Sequence, residues 1–438
     1  MSPAAARASR PPLNLVRGRL LLAAALLLHI LPFAVRPALI GGDEPHYALM
    51  AHSIATDFDV SLRDDYEEVE RGSAAAGRKR RGEALERHVR QAGGGAEVFS
   101  HPLGLPTLLA PLAALQQAIA PGSAPDIAFG LAALGVTFAA LMAGARLLAR
   151  VCGGAGEAAV PIFGLYFASP LWFYSRTLFT EPFTWAFGVL AVASIATGRF
   201  GIAALFLALV PAMKETALLI VVPIVVAVAL LFGWRKAAIV SLGPIAWAAA
   251  FVVKNILTVG TPFATFQAYY VGNVVEGAWG LVADPARGLF WFAPLLLVAA
   301  AGWVIPARDR EDRIAGWASA AIFVAYFLMT AAWADWRGGS SYGPRLLLPA
   351  LPALAVPLLR MWRAARSWNE GLAVLAVAGF AVNWCAALDP FTAFWGPAAM
   401  DLVMKNWIAA LAGVGVGIVI VWRLSKVERL RAEGAPRA

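Results

Sequence analysis

The stretch Gly41-Gly42-Asp43-Glu44-Pro45-His46-Tyr47 follows directly on an apolar run from about Leu20 to Ile40. A run of that length predicts a helix that crosses a bilayer, so the stretch lies where the chain meets water on the far side. Ionisable side chains at this depth are costly unless they serve a polar cavity. We therefore interpret Asp43 and Glu44 as functional-site candidates. The alternative is that they only end the helix in water.

Composition places the whole chain in a membrane. Of its 438 residues, 60% are hydrophobic and 14% are charged, and many apolar runs are long enough to span a bilayer. This pattern predicts an all-α, polytopic integral membrane protein. The net charge of +9 is explained by basic cytoplasmic loops, so we expect no nucleic-acid partner. Cys152 and Cys385 suggest neither a disulfide framework nor a metal site.

Hydropathy predicts about 12 crossings in a single transmembrane domain over 1–438, with no appended soluble domain. Basic residues fall in alternate loops, which favours cytoplasmic positions for residues 1–19 and for the tail, 424–438. A small-x-small cleavage site is absent before Gly41, so the first helix is predicted to be a retained anchor. The predicted crossings lie at about 20–40, 127–149, 157–175, 182–198, 200–213, 215–233, 237–259, 288–305, 315–333, 344–360, 371–388 and 402–423.

A long polar loop, 41–102, is predicted on the outer, periplasmic side. Acids and aromatics between residues 57 and 66 predict helices that lie on the membrane surface. The later part, about 71–95, carries a basic cluster among small residues and a glycine run, and we expect it to be mobile and solvated. The alternative is that its basic cluster binds membrane lipids with anionic head groups. The apolar segment 103–120 is short and interrupted by prolines. We interpret it as re-entrant or interfacial, because a crossing there would put the next basic residues outside.

This topology collects the unusual polar residues on the outer face, where one cavity could hold them. Lys214 lies inside an apolar stretch, and at the centre of a continuous helix it would cost roughly 2.5–3.5 kcal/mol, which predicts two short helices that meet at a polar site. Simpler interpretations remain open: the arginines as snorkelling anchors, the histidines as surface residues, and the aromatics as an interfacial belt. The residues are Asp43, Glu44, His46, His101, Arg176, Glu181, Lys214, Asp335, Trp336, Tyr342 and Arg345.

Asp43-Glu44-Pro45-His46-Tyr47 resembles the acidic signature of the GT-C superfamily of integral membrane glycosyltransferases. That superfamily includes protein O-mannosyltransferases and the aminoarabinose transferase that modifies lipid A. His46 stands where those two branches usually have arginine, and Leu103 stands where a second proline is usual. Further similar runs are His101-Pro102-Leu103-Gly104, Ser175-Arg176-Thr177 with Glu181, Arg287-Gly288-Leu289-Phe290-Trp291 and Tyr342-Gly343-Pro344-Arg345-Leu346-Leu347-Leu348-Pro349.

The resemblance implies transfer of one sugar, with inversion, from a polyprenyl-phosphate-linked donor to a hydroxyl of a glycan, lipid or protein acceptor. The reaction would take place on the periplasmic side of a bacterial inner membrane. Asp43 would be the general base, and Glu44 and Glu181 would orient it. These three carboxylates are also the candidates for a divalent cation, and no cofactor is certain.

The remaining candidates would bind the substrates. Lys214, Arg176 and Arg345, with His46 and His101, would bind the donor phosphate and lipid. The substrate-lining candidates are Tyr47, Asp335, Trp336 and Tyr342. Two other classes stay open: a transporter or flippase of a lipid-linked saccharide, and a ligase or polymerase that moves a whole glycan.

Overall fold

The computed structural model describes residues 15–37, 41–78, 81–91, 97–152, 154–263, 270–364 and 369–433. Most of the regular structure in these ranges is helical, and one antiparallel hairpin joins β1 (Val89–Gln91) to β2 (Glu97–Phe99). 3₁₀ turns lie at Glu215–Ala217, Ala300–Val304 and Arg345–Leu354. The α-helices are α1 (Leu15–Val35), α2 (Glu44–Thr56), α3 (Arg63–Glu70), α4 (Gly104–Ile119), α5 (Asp126–Val151), α6 (Ala155–Tyr166), α7 (Pro170–Tyr174), α8 (Thr180–Ala196), α9 (Phe200–Met213), α10 (Leu218–Phe232), α11 (Trp234–Val259), α12 (Val274–Ala283), α13 (Leu289–Phe292), α14 (Pro294–Ala299), α15 (Arg310–Ala332), α16 (Ala355–Ala364), α17 (Asn369–Leu388), α18 (Pro390–Phe394), α19 (Ala399–Lys405) and α20 (Trp407–Glu433).

Seven helical segments in the described ranges are long and apolar enough to cross a bilayer. The other predicted crossings fall on shorter apolar helices, of which α1, α6, α8 and α9 are examples. The predicted class, an all-helical polytopic membrane protein, is confirmed. Every segment that hydropathy marked as a crossing corresponds to one helix or to a run of two or three short helical elements.

Helix ends differ from the hydropathy boundaries where prolines intervene. α1 ends at Val35 instead of continuing to residue 40, because Pro37 disfavours helical backbone at the residue before it. The described residues do not include 1–14, 38–40 and 434–438. Most of the predicted cytoplasmic N-terminus and the end of the predicted cytoplasmic tail are therefore not described. The described part of that tail continues α20 as helix to Glu433.

α4 covers most of segment 103–120 as one helix that packs against α2 and α9. Its 16 residues would span about 24 Å, which is less than the roughly 30 Å of a hydrocarbon core. Its first residue is in very close contact with α9: a Cβ on Gly104 would lie 2.2 Å from the carbonyl oxygen of Ala212. Only glycine fits there, and the contact places the start of α4 next to Lys214.

The later part of the first loop packs more tightly than its composition indicates. Residues 74–76 are buried, and the β1–β2 hairpin pairs Val89 with Phe99. The expectation of a mobile, solvated stretch was therefore wrong for residues 74–76. Their small side chains are typical of a linker, but here they are packed in the interior. Residues 79–80 and 92–96, which include the glycine run, lie outside the described residues. The hairpin brings the segment around residue 88 over the start of α2.

Candidate functional site

Four charged side chains from four separate parts of the chain form one continuous ion-pair network. Nη1 of Arg345 donates to Oδ2 of Asp43 at 3.3 Å. Nε of Arg345 lies 3.9 Å from Oε1 of Glu181, and Nζ of Lys214 donates to the same Oε1 at 3.1 Å. Positive and negative groups thus alternate along the network. Sequence reasoning placed all four on one outer face, and the structure brings them into direct contact.

The backbone before α2 positions Asp43. Gly42 has φ +60°, in the left-handed region that favours glycine. A Cβ on Gly42 would also lie 3.0 Å from the ring of Phe394 and 3.1 Å from that of Phe179. This tight, left-handed turn directs Asp43 toward Arg345. The second glycine of the sequence motif is therefore a structural requirement of the site.

The two cations of the network lie at breaks in helices. α9 ends at Met213, Lys214 has an extended backbone (φ −157°, ψ 122°), and a 3₁₀ turn begins at Glu215. The predicted pair of short helices meeting at Lys214 is confirmed. Arg345 follows Gly343, whose φ of +55° turns the chain at the start of the 3₁₀ run. Interrupted helices place charged groups at the site without burying them in lipid.

The network is partly open to solvent. The side chain of Asp43 is 26% exposed, whereas that of Arg345 is 10% exposed and that of Glu181 is 3% exposed. The guanidinium of Arg345 also stacks on the Phe179 ring at 4.5 Å. Burial raises the pKa of the Asp43 carboxyl, but the surrounding positive charge, that of Arg345 above all, lowers it by more, and the net shift is downward. Asp43 is therefore ionised at neutral pH.

Arg345 keeps a donor for a further ligand. Its buried Nε has no hydrogen-bond partner among the described residues, since Glu181 lies at ion-pair distance only. An unpaired charged donor is costly, and an oxygen supplied by a ligand would relieve that cost. Phosphate oxygens are the natural partners of such a guanidinium.

Three histidines cover the other side of Asp43. Nδ1 of His88 lies 2.8 Å from Nε2 of His101, and the His88 ring stacks on that of His46 with a centroid distance of 3.7 Å. Burial lowers the pKa of His101 to about 4 and also lowers that of His88, so both are neutral at pH 7. Tyr47 is buried beneath them with its ring 5.3 Å from that of His101.

One group of acidic and histidine side chains in the described ranges has the spacing of a metal site: Asp43, His88 and His101. The sequence candidates for a cation were Asp43, Glu44 and Glu181. Asp43 is therefore joined by two histidines instead of by two glutamates. Glu181 lies on the opposite side of Arg345, where it contacts Lys214.

Glu44 and Arg176 occupy a second, closed region. Oε1 of Glu44 accepts from the backbone N–H of Leu178 at 3.0 Å, and Oε2 accepts from that of Gly41 at 3.2 Å. Arg176 donates from Nη1 to the carbonyl oxygens of Pro32 and Arg36 at the end of α1. Both side chains are almost fully buried. They attach the motif to α1 and to the turn before α8.

The predicted lining residues from the loop after α15 have different surroundings. Tyr342 is buried, and its hydroxyl donates to Oδ1 of Asn383 on α17 at 3.1 Å. Trp336 packs against Gly280 of α12 and carries the Arg337 guanidinium 4.3 Å above its ring. Asp335 is exposed. The contacts of Tyr342 and Trp336 are those of packing residues that hold the loop in place.

Sequence reasoning missed two residues near the site. His88 lies in the stretch that composition marked as solvated, and only the β1–β2 hairpin brings it to His101. Arg287, which was not predicted as a site residue, donates from Nε to the Arg337 carbonyl at 3.0 Å and from Nη2 to the Gly339 carbonyl at 2.9 Å. It therefore shapes the turn that leads to Arg345. The signal available in the sequence was a histidine thirteen residues before His101.

Comparison with known proteins gives one informative result. No protein-family model matches the chain, and no curated protein matches its sequence. Among solved structures, the chain is similar to the crystal structure of ArnT from Cupriavidus metallidurans bound to undecaprenyl phosphate. The TM-score is 0.53 with 15% sequence identity, over 94% of this chain and 76% of that one.

The chain has a GT-C-like membrane fold. ArnT is the aminoarabinose transferase of that class, and the similarity extends over almost the whole of the described architecture. At this level of identity the comparison concerns the fold, and the function has to be argued from the site. The motif at Asp43 resembles that of the GT-C superfamily, and the structure has a GT-C-like fold. The sequence motif and the fold therefore agree.

Proposed function

We propose that this GT-C-like protein is a glycosyltransferase that moves a single sugar from a polyprenyl-phosphate donor to an acceptor hydroxyl. The observation that carries the proposal is the network itself: an ionised, partly exposed Asp43 paired with Arg345, whose Nε lacks a hydrogen-bond partner among the described residues. A base and an anion-binding cation side by side are the two groups that this reaction requires.

The proposed reaction is an in-line displacement at the anomeric carbon. The acceptor oxygen attacks that carbon as the bond from carbon to the phosphate oxygen breaks, and the configuration inverts. The acceptor proton passes to Asp43, whose lowered pKa keeps it ionised before the step. The bonding electrons leave with the polyprenyl phosphate, which gains one negative charge.

Arg345 and Lys214 would stabilise that charge. Both cations pair with Glu181, which holds them in position before the donor binds. Preorganised charges lower the barrier more than mobile ones, because they do not have to reorient during the reaction. In this proposal Glu181 is a positioning residue, and Tyr47 and His101 form the wall next to Asp43.

The proposed donor is supported by the solved structure with the similar fold, since that protein was crystallised with undecaprenyl phosphate. A lipid-linked sugar would also fit a charged site at the ends of apolar helices. Its phosphate would bind the charged residues, and its lipid tail would lie among the apolar helices. The acceptor would be a hydroxyl of a glycan, a lipid or a protein.

The orientation is part of the proposal: the site faces the outside of the bacterial inner membrane and both termini are cytoplasmic. Single cysteines at residue 64 and residue 335 should react with an impermeant thiol reagent in intact cells, whereas one at residue 311 should not. Cys152 and Cys385 are buried and add little background. Reaction of a cysteine at residue 311 with the reagent added outside intact cells would show that the proposed orientation is wrong.

The central experiment incubates purified protein with a set of polyprenyl-phosphate sugars and acceptors and measures free polyprenyl phosphate. Release should require Asp43 and should be unaffected in Asp64→Asn, an exposed acid on α3 that serves as the matched control. If every donor stays intact while the protein moves lipid-linked sugar across vesicles, the protein is a flippase and the transferase proposal is wrong.

A further inference from the structure

We propose that Asp43, His88 and His101 form a binding site for a first-row transition-metal ion, with Zn²⁺ the best match. The proposal concerns metal binding by the folded chain and does not rest on the transferase activity. It differs from the carboxylate-only site that the sequence suggested, because two of its three ligands are imidazoles.

The geometry is close to that of a formed site. One ligand atom of each residue lies within 4.8 Å of a ligand atom of the other two. Zinc binds nitrogen and carboxylate oxygen at about 2.0–2.2 Å, so neighbouring ligand atoms around it lie roughly 3.3 Å apart. Nδ1 of His88 and Nε2 of His101, now 2.8 Å apart, would separate by about half an ångström.

The ligand types select the metal. Imidazole suits zinc, copper, nickel and iron, whereas Mg²⁺ and Ca²⁺ prefer sites made only of oxygen ligands. Three protein ligands with an open fourth position are typical of sites that exchange water or substrate at the metal. This donor set therefore points to a divalent ion of the zinc type.

Neighbouring groups hold the ligands in position. The Tyr66 hydroxyl accepts from the backbone N–H of His88 at 3.0 Å and lies 2.8 Å from Nδ1 of His46. The His46 ring stacks on the His88 ring with an interplanar angle of 16°. α2, α3 and the hairpin thus fix the His88 ring through one small network. Such surroundings strengthen metal sites because they orient the ligands before the metal binds.

The position of the site gives it a consequence. His88 and His101 flank the β1–β2 hairpin, and Asp43 precedes α2, so a bound ion would join the first loop to the start of the ion-pair network. The ion would also use the carboxylate that ion-pairs with Arg345. Metal binding should therefore be sensitive to Asp43 as well as to both histidines.

The test uses full-length protein in detergent, purified with a tag free of histidine and stripped with a chelator. Co²⁺ is titrated while visible d–d absorption is recorded, and Zn²⁺ affinity is measured by competition with a chromophoric chelator. We expect one Co²⁺ per chain with the spectrum of a low-coordinate nitrogen–oxygen site. His88→Gln and His101→Gln should each weaken Zn²⁺ binding at least about tenfold, since even outer partners of a metal ligand contribute that much.

His52→Gln is the matched control. His52 is a partly buried histidine on α2 that contacts Gln117 and lies outside the cluster, so its replacement should leave Zn²⁺ affinity unchanged. Thermal unfolding without metal shows whether each variant folds. If His88→Gln fails to fold, Asp43→Ala removes a ligand from the other side and gives the same test. Equal Zn²⁺ affinity in wild type and in a folded ligand variant would overturn the proposal, as would a loss of binding in His52→Gln.

Discussion

Asp43 and Glu44 are adjacent carboxylates with opposite surroundings. Asp43 is partly exposed and its described partner is the side chain of Arg345. Glu44 is buried and accepts from the backbone N–H groups of Gly41 and Leu178. A side-chain ion pair can open and exchange one partner for a ligand, whereas backbone amides cannot leave without local unfolding. The network around Asp43 can therefore take part in a reaction with a ligand. The hydrogen bonds of Glu44 instead hold neighbouring segments of the chain together.

The same contrast divides the arginines. Arg345 belongs to the open network and has a donor without a hydrogen-bond partner among the described residues. Arg176 donates to the carbonyl oxygens that end α1. Both were sequence candidates for the donor phosphate. The geometry favours that role for Arg345 and a structural role for Arg176, and the first three predictions below test the division.

The largest expected effect is that of Asp43→Asn. The amide keeps the shape of the side chain and can still accept from Arg345, but it cannot take the acceptor proton. General bases contribute about 10²- to 10⁴-fold, so turnover should fall by that factor while the donor still binds. Steady-state turnover and equilibrium donor binding check this. Near-normal turnover would move the base to another carboxylate, with Glu181 the first candidate.

Lys214→Ala should have the next largest effect. A charge-assisted contact with phosphate contributes roughly 1.5–3 kcal/mol, so the donor Kd should rise by about 10- to 150-fold with little change in acceptor affinity. Arg176→Ala is the comparison, because that change should lower stability and leave donor Kd unchanged in the protein that folds. Titration of a non-hydrolysable lipid-phosphate analogue measures both. Equal losses of donor affinity would remove the distinction between the two regions.

Glu44→Gln should affect stability more than chemistry. The amide oxygen can accept from only one of the two backbone N–H groups, and the negative charge near Arg176 is lost. Buried hydrogen bonds to charged groups contribute about 1–3 kcal/mol each, so thermal stability in detergent should fall accordingly. Turnover per folded molecule should fall much less than in Asp43→Asn. A loss of turnover with unchanged melting temperature would place Glu44 in the chemistry instead.

The smallest effect concerns the pH dependence of stability at His101. Its pKa is about 4 in the folded protein, below the usual 6.5, so the unfolded chain binds the proton more readily. Stability from this group is complete above pH 6.5 and is lost as the pH falls toward 4. Between pH 7 and 5 the loss is at most about 2 kcal/mol. Unfolding at both pH values should show a smaller difference in His101→Gln than in wild type; the same difference would show that His101 is not buried in neutral form.

Much of the site could be found from the chain alone. Charged residues at the ends of apolar segments are rare enough that Asp43, Glu181, Lys214 and Arg345 were recognisable, and the positive-inside pattern placed them on one face. Sequence could not separate Asp43 from Glu44, since both are carboxylates at the same helix start. The partners that distinguish them come from residues more than a hundred positions away, Leu178 for Glu44 and Arg345 for Asp43.

The sequence by itself determined the polytopic class, the positions of the apolar segments that form the crossing helices and the break at Lys214, because the cost of exposing polar groups to lipid acts on each segment separately. Only the tertiary structure decided which charges touch, which are closed off by backbone, and that His88 joins His101 beside Asp43. Those outcomes depend on contacts between distant segments, such as the tight turn at Gly42 against Phe179 and Phe394. The local sequence pattern of one segment does not show which other segment it packs against. Because the site consists of contacts between distant segments, the sequence alone could not predict those contacts.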